Sequence, residues 1–188
     1  ALGEALTAIL RSQGHHIIKT EIFNDRGIAI AKMMLIYDMF HQDEIPSMKT
    51  DHYVGQLYIE FEERAATQPE LVQQAQDILT KWENGDRYWY DLWLKLRDWA
   101  INGQKETYHK IGTSFDEDIY ESDIYQKGKD IVLDGLERGI FKKHPEEEYI
   151  YADLEEFGLP NKILLRPQGT ALYITQDIAL LYYRLFGE

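Results

Sequence analysis

Apolar positions Leu2, Ala5, Leu6, Ile9 and Leu10 recur at helical spacing, and Gly14 is a natural stop for the helix they predict. Residues 15–23 (HHIIKTEIF) are rich in Ile and bounded by Gly14 and Asn24-Asp25, which predicts a strand. After the turn Asn24-Asp25-Arg26-Gly27, a second helical pattern runs from 28 to about 40. Helix, strand, turn and helix in this order is the grammar of a parallel α/β sheet. Ligands of such sheets sit at the carboxyl ends of the strands, where residues 24–27 fall.

The pattern then changes. Residues 51–111 read as helical and carry all four tryptophans. Leu71, Ala75, Ile78, Leu79 and Trp82 form one stripe; Trp89, Leu92, Trp93, Leu96, Trp99 and Ala100 form another. Glu83-Asn84-Gly85-Asp86 separates them as the turn of an αα-hairpin, and Trp stripes at this spacing predict a packed core. A short extended stretch at 115–120 and a helix over 127–138, stopping at Gly139, follow. Alternation returns with strands predicted at 148–153, 162–166 and 170–174, the last two joined by Pro167-Gln168-Gly169. A helix opens at Thr175-Gln176-Asp177, with Asp177 expected in its first turn, where a carboxylate suits the helix dipole. The organisation is an α/β piece (1–50), a mostly helical insertion (51–145) and a return to the α/β piece (146–188).

Composition narrows the chemistry. The 188 residues are enough for a sizeable core, since chains near 150 residues hide roughly two thirds of their unfolded surface. Twenty Lys+Arg against 33 Asp+Glu give a net charge of −13, which repels phosphate backbones and predicts weak general nucleic-acid binding by this piece alone. With no cysteine, the chain has neither disulfides nor thiolate nucleophiles. No apolar run approaches the roughly 18–20 residues of a membrane helix. The first residues, Ala1-Leu2-Gly3-Glu4, carry neither an initiator Met nor a signal peptide and suggest a fragment. Phosphate-loop, dinucleotide-fold, hydrolase-elbow and zinc-protease motifs are all missing from the sequence, and the six histidines show no metal-ligand spacing.

Six stretches stand out in order: Gly14-His15-His16-Ile17; Asn24-Asp25-Arg26-Gly27; Asp51-His52-Tyr53-Val54-Gly55; Leu92-Trp93 with Trp99; Phe115-Asp116-Glu117-Asp118-Ile119-Tyr120-Glu121-Ser122; and Arg166 through Ile178 (RPQGTALYITQDI). Together they resemble the catalytic region of arginyl-tRNA synthetases, a class I aminoacyl-tRNA synthetase family, over essentially the whole chain. The resemblance implies an α/β fold: part of a Rossmann-like catalytic domain with a parallel sheet, interrupted by the helical insertion. It implies a cytoplasmic arginine–tRNA ligase, which uses ATP with Mg2+ to make arginyl-adenylate and passes arginine to tRNA(Arg). By residue match, Glu121, Tyr173 and Asp177 would hold the arginine side chain. Asn24, Asp25, Arg26 and Gln168 would form a candidate active-site rim, Gln168 standing where the family usually has Asp.

The residue types suit that ligand. A guanidinium presents five donors in a planar fork with a fixed positive charge, so its pocket wants carboxylates and an aromatic neighbour. Lysine would fill only part of such a fork, leaving polar groups unpaired. The family's H-I-G-H-like and K-M-S-K-S-like ATP motifs do not occur in the sequence; they are expected upstream of Ala1 and beyond Glu188. The fragment is therefore expected to hold no catalytic residue and no metal ligand, to bind no cofactor tightly, and to be inactive alone. A rival reading makes the Trp-rich hairpin a protein-interaction module. It requires an exposed apolar patch around Trp89, Trp93 and Trp99.

Overall fold

The computed structural model describes residues 2–167 and 169–186. The backbone divides into two compact units: Ala1–Glu21 with Asp25–Asp118, and Ile22–Asn24 with Ile119–Glu188.

The first unit is helical: α1 (Leu2–Ser12), α2 (Ile28–Phe40), α3 (Thr50–Ala65), α4 (Glu70–Glu83) and α5 (Arg87–Lys110). Helix α2 is apolar around much of its surface because it packs on α3, α4 and α5 at once. Its Met34 and Ile36 lie fully buried with Leu57, Phe61, Leu71 and Leu96. The two predicted Trp stripes meet in this core. Trp82 and Trp93 are buried with ring centroids 5.2 Å apart, and Trp89 and Trp99 pack against the same cluster. The α4–α5 turn is fixed by Asp86, whose side chain accepts hydrogen bonds from the Tyr88 and Trp89 amides and so caps α5.

Strands β1 (Thr20–Phe23) and β2 (Glu117–Tyr120) pair as a two-stranded parallel sheet. Phe23 and Tyr120 stack side by side at its end, centroids 5.4 Å apart. The expected strand over 15–23 contracts to these four residues, matching the length of its partner.

The second unit contains α6 (Glu121–Glu137), β3 (Lys142–Lys143), β4 (Ile150–Ala152), β5 (Lys162–Leu165) and α7 (Tyr173–Phe186). The three strands form an antiparallel sheet in chain order. Val132 of α6 packs on Ile150, Leu164 and Leu165. Two boundaries also move. Helix α6 starts at Glu121 rather than near 127. The predicted strand at 170–174 is reduced to one bridge, Ala171 to Leu165, because α7 already begins at Tyr173. Asp177 consequently sits one turn inside α7, and its expected place in the first turn does not hold.

Candidate functional site

The site begins where β1 and β2 end. Asn24 follows β1 and Glu121 follows β2, so neighbouring parallel strands deliver the two residues side by side. The Asn24 Nδ2 amide donates to Glu121 Oε2 at 3.0 Å. Glu121 is only 8% exposed. It opens α6 directly after the extended Tyr120, where the helix's unpaired amides favour a negative charge.

The other two residues expected to hold arginine, Tyr173 and Asp177, lie on α7. Thr175 is fully buried, and its hydroxyl donates to the Leu164 carbonyl at 2.6 Å, tying the start of α7 to β5. The Leu172 amide reaches the same carbonyl at 3.1 Å. At about 100° per residue, Tyr173 and Asp177 lie some 200° around the helix from Thr175 on either side, and therefore share the opposite face. Both are exposed, Tyr173 at 73%. The anchored threonine thus turns a phenol and a carboxylate outward together, a role the sequence reading missed. Its signal is the odd spacing within Y-x-T-x-D, which puts the threonine opposite the two polar residues.

Helix α7 sits hard against α6. A Cβ on Gly128 would lie 2.6 Å from the Thr175 carbonyl oxygen, so only glycine permits this approach. Glu121, Asn24, Tyr173 and Asp177 all belong to the second unit. The turn before α7 closes through Arg166 N to Thr170 O at 3.0 Å and Gly169 N to Arg166 O at 2.8 Å. Gly169 adopts φ +78°, the region that favours glycine. Gln168, expected on the rim, lies outside the described residues.

Asp25 and Arg26 are built into the first unit. The Asp25 carbonyl accepts the Trp93 indole N–H at 2.5 Å, and its buried carboxylate lies 3.7 Å from Arg97 Nη1. Arg26 pairs with Glu83 at 2.6 Å and lies over the Trp82 ring, 5.9 Å from its centroid. Of the expected rim residues, Asn24 has its side chain on Glu121, one of the three residues expected to hold arginine. Among the described residues, no group of three or more His, Asp or Glu is arranged to hold a metal ion, and no helix is long and apolar enough to cross a membrane.

A family profile described as "tRNA synthetases class I (R), catalytic domain" matches residues 1–188. The arginine–tRNA ligase of Treponema denticola is 42% identical over 183 residues, covering 95% of this chain and 31% of that protein. The Bacteroides fragilis arginine–tRNA ligase is 40% identical over 198 residues, covering 94% and 33%. The chain thus spans about a third of the length of these curated relatives. Among solved structures, Thermus thermophilus arginyl-tRNA synthetase superposes with TM-score 0.69 at 22% identity, over 98% of this chain and 32% of that one. The Plasmodium falciparum arginyl-tRNA synthetase gives 0.68 at 20% identity, over 89% and 28%. At these identities the two structures speak to the fold.

Proposed function

This chain belongs to the catalytic domain of the arginine class I tRNA synthetases, and from that premise we propose that its protein activates arginine with ATP and transfers it to tRNA(Arg), with this segment supplying the arginine side-chain pocket. The observation that carries the pocket is the arrangement within the second unit. A buried carboxylate opens α6, and a phenol and a second carboxylate share the outward face of the helix packed on it.

In the proposed reaction the arginine carboxylate attacks the α-phosphate of ATP. The α–β phosphoanhydride bond breaks, pyrophosphate leaves with the bond's electron pair, and arginyl-adenylate forms. A ribose hydroxyl at the tRNA end then attacks the acyl carbon, releasing AMP and giving up its proton. Such transfers are accelerated by positioning and charge stabilisation and need no protein nucleophile. Glu121 and Asp177 bind and orient the guanidinium, and Tyr173 flanks it. Two carboxylates without a cationic ligand would be a costly lining for a neutral side chain, which favours arginine over the uncharged amino acids. ATP arrives as the magnesium complex, and we assign none of its ligands to this chain.

The interaction-module reading gains nothing from the hairpin, since Trp82 and Trp93 are buried and Trp89 and Trp99 pack on the core. The test is amino-acid-dependent ATP–pyrophosphate exchange. The intact protein should exchange with arginine and at most weakly with lysine, and the 188-residue chain alone should show no exchange. Exchange driven equally by lysine or by a neutral amino acid would overturn the assignment.

A further inference from the structure

The Asn24–Glu121 hydrogen bond joins residues 97 positions apart at neighbouring strand ends. An ionised carboxylate accepts only, so the Asn24 amide must donate, and this consumes one acceptor site on Glu121 Oε2. A carboxylate has two oxygens and about four acceptor sites, the chemistry a forked donor needs. Asp25 and Arg26, the next two residues, turn their polar groups to Trp93, Arg97 and Glu83 of the helical unit.

We propose that Asn24 is a positioning residue for arginine recognition: its amide fixes the rotamer of Glu121 and aims that carboxyl at the guanidinium. The proposal rests on the arginine-pocket reading and adds a residue to it. The supporting chemistry is simple. Glu121 is a long side chain with three rotatable bonds, and an acceptor held in advance loses less freedom on binding.

The experiment measures arginine KM, kcat and affinity between pH 5.5 and 8.5 in the intact protein carrying Asn24→Ala, Asn24→Asp or Glu121→Gln. Asn24→Ala should raise the arginine KM by up to about tenfold, the cost of ordering one long side chain on binding, with ATP KM nearly unchanged. Asn24→Asp is almost isosteric and sets a second carboxyl at the same short distance from Glu121. Two carboxylates about 3 Å apart cannot both ionise freely, so the pair should hold a proton near neutrality. Arginine, a cation, favours the fully ionised pair. Affinity should therefore fall as pH drops through the pair's raised pKa and recover as pH rises, more steeply than in the unsubstituted protein. Two results overturn the proposal in distinguishable ways. If Glu121→Gln binds arginine normally, the pocket reading fails and Asn24 with it. If Glu121→Gln loses arginine while both Asn24 variants match the parent in affinity and pH profile, the positioning role alone fails.

Discussion

Glu121 illustrates what a buried carboxyl needs at the level of single residues. Burial of a charge is unfavourable unless hydrogen bonds compensate it, and here the Asn24 amide and the start of α6 do so. His41 poses the opposite problem, a ring held between two acids. Its Nδ1 lies 2.9 Å from Glu44 and its Nε2 2.8 Å from Glu60, while Tyr53 donates to Glu44 and Arg64 to Glu60. Partial burial disfavours the imidazolium, but the hydrogen bonds to Glu60 and Glu44 outweigh it and raise the His41 pKa above its ordinary 6.5. A raised folded-state pKa means the stabilisation is fully present below about pH 6.5 and is lost as pH rises through the higher value. Chemical denaturation of the parent and of His41→Gln across pH 5.5–8.5 checks this. The difference between them should be largest at the acidic end and shrink towards the alkaline end. The residue types at these positions were legible in the sequence; their pairings were not. Nothing in local periodicity states that the strand ending at Phe23 lies beside the one ending at Tyr120, so the Asn24–Glu121 contact waits on the fold.

Elements were legible where one physical signal dominated. The 28–40 helix follows from a long, mostly apolar run after a turn, and the hairpin from two Trp stripes at helical spacing with Asp86 capping the second. Boundaries shifted where signals competed. The run Ala171-Leu172-Tyr173-Ile174 suits a buried strand or a helix start equally, and the Thr175 anchor on Leu164 decides for the helix. The antiparallel order β3-β4-β5 was likewise invisible, because short apolar runs do not encode their partners. The α6–α7 contact makes a prediction of its own. Gly128→Ala gains up to about 1 kcal/mol of helix propensity, yet its Cβ meets a backbone carbonyl at 2.6 Å, and such overpacking costs about 1–3 kcal/mol. The clash should win: thermal unfolding should show a net loss and arginine affinity should weaken as α7 is displaced. Gly55→Ala on α3, with nothing within 4 Å of its Cβ, should instead stabilise the protein slightly. Equal effects from the two substitutions would show that helix propensity, not the α6–α7 approach, governs position 128.

The whole molecule combines a helical unit whose tryptophans are used up in its core with an α/β unit that carries the candidate pocket. Its charge of −13 leaves any nucleic-acid contact to local surfaces, while acidic groups suit a cationic amino acid. The pocket assignment stands or falls on whether Glu121 and Asp177 meet one guanidinium, and calorimetric titration of arginine and lysine into the intact protein measures this most directly when repeated on Glu121→Gln and Asp177→Asn. Arginine should bind with lysine far weaker, and each substitution should weaken arginine by about 10- to 100-fold, the worth of a charge-assisted hydrogen bond. Arginine binding unchanged in both variants would contradict the account.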